Sequence, residues 1–474
     1  MDEKQVKLLL ENEDKIKLKK LLLDIDVICC NFIDKLSPSE LLEFLILLIK
    51  INTNKITNLL FYKKSMELLK IALKRNQLNH NENLKYLYFC GLEKKTNSHN
   101  VKKILQCLPS LEKLPIIEQC IVADTLFKCS IKLKKIDGKI IENIIENNTD
   151  YLINNKQLLV SLCKAVRYVG PSDNFTMINL SKSLINSKER FNLIFIAHII
   201  SLYAEAHQKD QQVLDKLFDD SWQQIENDEN NMNIRIKDID RILWSGRILN
   251  YQMDNDKFYI INKFIKKRYH HIKNHHSLFM NILLSIWMYG DKPINIINEC
   301  FENNIFDSII HDDNDNWKIK ARLQLLLACI QIECPDIIIP NKLQVPHCVG
   351  QKVHNNLKII FKYIKSLDYY LPIDQLVIDC PIKEILILGI SLNHQKIGKI
   401  HIDLLDENTC LKGVEEPHGL LNLKLRLLSK LGYKSILIPS IKIKDEKIFS
   451  LYLEENFNRK KEEFIHKLID VFFI

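Results

Sequence analysis

Between residues 100 and 291 an aspartate or asparagine repeatedly stands at the head of an apolar run with helical spacing: Asn100, Asp137, Asp173, Asp210, Asp256 and Asp291. The intervals are 37, 36, 37, 46 and 35 residues. Side-chain oxygens of Asp and Asn accept from the free N–H groups of a first helical turn, so the series marks candidate helix starts. A second apolar run precedes the later members: "LLVSLCKAVRYVG", "LIFIAHIISLYAEA", "RILWSGRILNY" and "FMNILLSIWMYG". Two helices every 35 to 46 residues is the signature of an α-solenoid, in which each hairpin buries its face only against its neighbours. The alternative is an irregular helical bundle whose caps are spaced by chance. The expectation is a mainly α protein with an α-helical repeat array over residues 1–335.

Composition agrees with long helices and short connections, because only 11 Gly and 12 Pro punctuate 474 residues. The apolar fraction of 46% and charged fraction of 27% are ordinary globular usage. "LLEFLILLIKI" at 41–51 is too short to span a bilayer and reads as a buried helix, so no membrane partner is expected. The 13 cysteines are scattered and form no C-x-x-C, which predicts reduced core thiols and no zinc site. A net charge of +8 permits a nucleic-acid partner without requiring one.

The most basic stretch of the array is "KKRYHHIKNHH", residues 266–276. It mixes Lys266, Lys267, Arg268 and Lys273 with Tyr269 and four histidines, a combination suited to phosphate contact and base stacking. A solvated connection between helices is the plainer reading. His270, His271, His275 and His276 lack a Cys or carboxylate to complete a metal set, so no metal is assigned.

Three prolines and a glycine in "PDIIIPNKLQVPHCVGQKV" mark a linker, 336–353, and the periodicity changes beyond it. A helix, "HNNLKIIFKYIKSL", leads into three strand-like runs, "QLVIDCPI", "EILILGISL" and "KIGKIHIDLLD". A helix over residues 417–431 follows, then Gly432 as its left-handed stop, the strand "KSILIPS" and a last helix. This order predicts a small C-terminal α/β domain, 354–474. The helix over 417–431 carries an anomaly. Its apolar stripe is Leu420, Leu423, Leu427, Leu428 and Leu431, and Lys424 falls in the middle of it, aimed at the sheet. Arg426 falls on the opposite side. Lys424 has three readings: an ion pair with Asp403 or Asp406, an ammonium snorkelling to the end of the sheet, or a phosphate contact. Lys412, Lys430 and Lys434 flank the helix and, with Arg426, could widen a basic surface.

The run "HIDLLDENTCLKGVEEPHGLLNLKLRLLSKLGYKSILIPS" resembles the RAP domain, the RNA-binding module abundant in apicomplexans that closes FAST-kinase-like and octotricopeptide-type helical-repeat proteins. The resemblance rests on about 40 residues: a strand ending in an acid (Asp403), a loop, and a helix with Leu420, Leu421, Lys424, Leu428 and Leu431. Gly432-Tyr433 and a strand ending in Ile438-Pro439 complete it. It departs from the family where Leu404 follows Asp403 in place of a glycine, and where no tryptophan follows Ile438-Pro439.

RAP domains are similar to the PD-(D/E)XK nuclease fold, in which carboxylates on two strands hold a divalent metal beside a lysine. Here Asp403, Asp406 and Lys424 would be a vestige of such a site. The middle strand carries no central carboxylate and His401 stands where a second acid is expected, so no catalytic residue, metal or cofactor is assigned. The resemblance implies a non-catalytic RNA-binding protein of mitochondrial RNA metabolism. Its partner would be ribosomal RNA or its fragments, for processing, stability or mitoribosome assembly. The contacts would come from Lys424, Lys412, Arg426, Lys434, Lys267, Arg268 and Tyr269. The alternatives are a structural subunit of a mitoribosome or other complex that binds mainly protein, and a metal-dependent ribonuclease. Mitochondrial localisation follows from the resemblance alone, since the acids of "MDEKQVKLLLENEDK" do not look like a presequence.

Overall fold

The computed structural model describes residues 20, 21, 23–51, 56–93, 98–131, 135–227, 234–272, 275–311, 317–343, 357, 358, 361, 362, 365, 373–395, 398–414 and 416–439. It is mainly helical, with a small C-terminal sheet, and divides into two compact units, Met1–Phe175 and Thr176–Ile474.

The first unit holds α1 (Pro38–Ile51), α2 (Leu60–Lys74), α3 (His80–Glu93), α4 (Ser98–Cys107), α5 (Ile116–Lys128), α6 (Lys135–Asn147), α7 (Thr149–Asn154) and α8 (Lys156–Val169). Helix α3 packs on α5 and α5 on α8. Alternate helices are therefore neighbours in one layer. Small residues set the spacing: at Gly91 an added Cβ would already lie 3.0 Å from the Thr125 hydroxyl.

The second unit continues with α9 (Ile178–Asn186), α10 (Leu193–Glu205), α11 (Gln211–Glu226), α12 (Ile236–Ile248), α13 (Asn255–Ile272), α14 (His276–Tyr289), α15 (Ile294–Glu302), α16 (Ile305–Ile310) and α17 (Trp317–Glu333). One layer runs α10, α12, α14, α17, and α11 packs on α9 and α13 behind it. The four apolar runs singled out in the sequence are α8, α10, α12 and α14.

The predicted caps fare less well. Asp210 caps α11, accepting from Val213 N at 3.2 Å. Asp137 lies inside the first turn of α6, and Asn100 lies inside α4, where its amide donates to the Tyr86 hydroxyl at 3.4 Å. At α13 the accepting side chain is Asp254, which takes Lys257 N at 2.9 Å, and not Asp256. Asp173 sits in the loop before α9, and Asp291 receives the Asn262 amide at 2.8 Å. The period locates the hairpins but not the capping residue, because several short polar side chains compete at each helix start.

The C-terminal elements belong to the second unit, so the expected boundary after residue 335 separates kinds of secondary structure and not compact units. Residues 344–353 of the expected linker lie outside the described residues, as do most of the helix expected at 354–367 and all of the last helix. The strands are β1 (Ile373–Asp379), β2 (Gly389–His394), β3 (Gly398–Leu405), a small β4 (Cys410–Leu411) with β5 (Glu416–Pro417), and β6 (Lys434–Pro439). The main sheet has the order β1-β2-β3-β6, with β1, β2 and β3 antiparallel and β3 parallel to β6. The crossover between the parallel strands is α18 (Gly419–Lys430). Strand β2 starts at Gly389, later than the run "EILILGISL" implies. The preceding residues curl around Cys380, whose sulfur lies 3.1 Å from Ile382 O and 2.7 Å from Ile385 O. The described cysteines are free.

Helix α18 is closed by Gly432 at φ +81, with Tyr433 N bonded to Leu428 O at 3.0 Å, as the sequence predicts. Its stripe is shifted: Leu421, Leu423, Lys424, Leu427 and Leu428 are buried, whereas Leu431 is 38% exposed. It touches β6 on one side and α12, α14 and α17 on the other. Gly419 makes this possible. A Cβ there would lie 1.9 Å from the Arg247 carbonyl oxygen at the end of α12. Gly419→Ala therefore forces α18 off α12, and overpacking of this kind costs about 1–3 kcal/mol or more. The expected outcome is a lowered urea midpoint with α18 displaced, read by equilibrium unfolding; wild-type stability would refute the close approach.

Candidate functional site

Strand alternation places His401 and Asp403 of β3 on one face of the sheet and Ile400, Ile402 and Leu404 on the other. The first face is polar, and Lys424 reaches it from α18. The three side chains of Lys424, Asp403 and His401 are 0% exposed. The Lys424 ammonium has three donors and uses each: Asp403 Oδ1 at 2.5 Å, His401 Nε2 at 2.8 Å and Ile387 O at 2.9 Å.

These bonds fix the direction of a longer chain. Because His401 Nε2 accepts from Lys424, its proton is on Nδ1, which donates to Ser391 Oγ at 2.8 Å. Ser391 then donates to Asp379 Oδ1 at 2.6 Å. Asp379, at the end of β1, retains 35% side-chain exposure, so the chain runs from a half-exposed carboxylate to a fully sealed ion pair. Gly389 makes the space. A Cβ there would stand 2.3 Å from His401 Nε2 and 2.8 Å from Asp403 Oδ1. Asp403 Oδ2 has no hydrogen-bond partner among the described residues.

Of the readings offered for Lys424, this geometry selects the ion pair with Asp403 and removes the others. An ammonium spent on three protein acceptors in a sealed site has no face for a phosphate. Asp406 is not its partner; it closes its own turn, accepting from Asn408 N at 2.9 Å and Thr409 N at 3.1 Å. A hard divalent ion needs converging carboxylate oxygens. Here the His401 ring stands between the carboxylates, 3.9 Å from Asp379 and 3.5 Å from Asp403, and the Lys424 ammonium occupies Asp403 Oδ1. Among the described residues no group of three or more His, Cys, Asp or Glu could hold a metal.

Arg426 was expected on a solvent-facing basic surface and is instead a clamp. Its guanidinium donates to Met288 O at 3.1 Å and Trp287 O at 2.9 Å, carbonyls at the C-terminal end of α14. It also pairs with the buried Glu333 of α17, Nε to Oε1 at 3.0 Å. Cations suit helix C-termini because the last carbonyls carry the negative end of the helix dipole. Lys412 belongs to a second seam: its backbone N–H donates to His207 O at 2.6 Å, and its carbonyl accepts from Lys209 N at 3.2 Å. Lys209 pairs with Glu416 at 2.9 Å beside it.

In the basic stretch, Lys263, Lys266 and Lys267 are exposed on α13. Arg268 donates to Ile234 O at 2.9 Å and lies over Phe264 at 4.9 Å. Tyr269 is half-buried and packs edge-on against Phe279 at 5.6 Å, and burial, with the Glu299 carboxylate, pushes its phenol well up. The side chains of His270 and His271, and residues 273–274, lie outside the described set. Lys434 is exposed at the start of β6. Asp379, Ser391 and Gly389 were missed by sequence reasoning; Gly389 inside an apolar run was the available signal.

His418 was also missed. It caps α18, its Nδ1 accepting from Leu420 N at 3.1 Å and Leu421 N at 3.2 Å, and it is 6% exposed. Burial, then the nearby His207, pulls its pKa down to about 4. Scans against protein-family models and curated proteins find no match to this chain.

Two outcomes follow. Removing one member of a buried pair strands a charge, at a cost of about 3–5 kcal/mol, whereas replacing both with apolar residues is often close to neutral. Lys424→Met and Asp403→Leu are each expected to destabilise strongly and the double variant to recover much of the loss, read by a double-mutant cycle in urea; additive losses would contradict the pairing. For His418, a folded-state pKa below the unfolded one gives stability that is present above about pH 6.5 and is lost as pH falls through about 4. His418→Asn keeps a capping side chain without that titration. Its acid-induced loss should therefore be smaller than the wild-type loss by on the order of 3 kcal/mol.

Proposed function

We propose that this protein is a non-catalytic RNA-binding protein of mitochondrial RNA metabolism, acting on ribosomal RNA or its fragments. The reading is carried by the serial packing of α10, α12, α14 and α17, with the α/β elements seated across the C-terminal ends of α12 and α14 through Gly419 and Arg426. A layer of helices stacked in series is what a solenoid uses to present an extended surface to single-stranded RNA. The order β1-β2-β3-β6, with α18 crossing between parallel strands, supports the likeness to a RAP domain and through it to the nuclease-like fold. The sealing of Lys424 and Asp403 favours a domain that has kept the frame of that fold and turned its polar face into structure. Localisation rests on the same likeness. Among the described residues no helix is long and apolar enough to cross a membrane.

Exposed lysines that this reading offers to RNA include Lys263, Lys266 and Lys267 of α13, with Lys434 at the sheet. Helical spacing brings 263, 266 and 267 together on one side of α13. Binding of labelled single-stranded RNA should weaken steeply with salt, and replacing these three lysines with Gln should flatten the log–log slope by about 2. No binding to any RNA at low salt would sink the proposal and leave the protein-binding scaffold in its place.

A further inference from the structure

The α12–α14–α17 surface holds two buried acceptors without donors. Asp240 Oδ1 on α12 and Asn281 Oδ1 on α14 have no hydrogen-bond partner among the described residues, and Asn281 is 3% exposed. The Asn281 side chain also bonds to the Asp240 carboxylate, so the two groups are adjacent. One turn along α12, Trp244 carries the Arg322 guanidinium of α17 over its ring, 4.0 Å from the centroid. Trp244 and Arg322 are half-buried and therefore reachable from solvent. A stacking platform thus lies one turn from one unsatisfied acceptor on α12, with the second beside it on α14. Buried acceptors left unpaired are costly, and each is an unfilled place for an N–H donor.

We infer that Trp244, Arg322, Asp240 and Asn281 form a binding site for a guanine base of single-stranded RNA. The inference rests on the RNA reading proposed above and adds the base that is read. The stacked guanidinium occupies the place and has the shape of the ligand: guanine presents N1–H and N2–H in a planar, guanidine-like edge. That edge offers two adjacent donors to two adjacent acceptors. Adenine and cytosine each set a ring acceptor beside the amino group, which would face the carboxylate, and uracil sets carbonyls on both sides of its single donor. On binding, the base takes the Trp244 face and Arg322 moves to the adjoining phosphate, as stacked bases and Arg–phosphate pairs commonly do.

The charges around Asp240 agree with an acceptor awaiting a donor. Arg241 on its own helix is turned to Asp238 at 3.6 Å and to His198 of α10 at 3.3 Å. Arg322 from α17 is shared electrostatically with Glu205 of α10, and α14 contributes the neutral Asn281. Helix α18 also packs on α12, where Arg426 faces Arg247. Burial pushes the Asp240 carboxyl up to about 6, against the pull of Arg322 and Arg241. Binding through the carboxylate therefore weakens as pH falls below about 6.

The test uses the full chain and uridine-rich oligonucleotides that carry one guanine, one inosine or one adenine. Guanine should bind roughly tenfold or more tighter than adenine, with inosine, which lacks the N2 amine, between them. Asp240→Asn should abolish the preference and its pH dependence, and Trp244→Ala should weaken the guanine oligonucleotide most. The wild-type comparison needs no variant to fold. Equal affinity for all three oligonucleotides overturns this inference and leaves the RNA reading intact; no binding to any of them overturns both. Saturable binding of an arginine-rich peptide that is lost in Asp240→Asn, with no preference for guanine, assigns the acceptors to a protein ligand and overturns the inference.

Discussion

The C-terminal half of the second unit depends on one interaction, the contact of the Lys424 ammonium with Asp403 inside the sheet–helix interface. An unpaired ammonium in that position would cost several kcal/mol in lost hydration. The surrounding residues are arranged to avoid that cost. Gly389 leaves room for it, Ile387 turns its carbonyl out of the β2 ladder toward it, and His401 takes the tautomer that accepts from it. A lysine in an apolar stripe thus fixes the start of a strand, the identity of a glycine and the proton on a histidine. Such a pair adds little net stability compared with a well-packed apolar pair, but it discriminates strongly between registers. Sliding α18 by one residue would strand both charges in a dry site.

Helix α18 is buried on two sides, and this explains the main misreading of the sequence. An amphipathic pattern is normally interpreted as one face on the core and one in water, which sends Arg426 to solvent. In this chain the second face meets α12, α14 and α17, and the arginine donates to buried carbonyls at the end of α14 while pairing with Glu333. Charge on a helix face reports a polar environment, and the polar end of another helix is one. The same reasoning applies to Arg268, which composition grouped with the exposed lysines and which donates to the Ile234 carbonyl.

What was legible in the sequence had a period or a fixed local conformation. The apolar runs that became α8, α10, α12 and α14, the strand runs around 373–405, Gly432 as a left-handed stop and the inward lysine follow from local rules that the fold had no reason to override. What was hidden depended on distant partners. Asp379 and Ser391 join Lys424 only because antiparallel pairing sets β1, β2 and β3 side by side, which no window of sequence contains. His418 escaped notice because histidine is an uncommon cap; only its burial and its two backbone donors reveal the role. Most of the expected caps failed for a related reason: a short polar residue near a helix start can bond elsewhere, as Asp291 does to Asn262.

The two polar clusters of the second unit divide the protein's tasks on physical grounds. Around Lys424 all three ammonium donors are met and the relay to Asp379 is directional, and among the described residues Asp403 Oδ2 is the one buried oxygen of the network without a partner; such a network resists ligands, because any newcomer must displace a bond already made. Around Asp240 two acceptors have no partner among the described residues, and the neighbouring guanidinium stacked on the Trp244 indole can be exchanged at modest cost. Recognition is expected where unmet demand lies beside a removable cover, and rigidity where demand is met. On that criterion the sheet with its inward lysine is the frame, and the α12–α14–α17 surface is where the proposed ligand would be held.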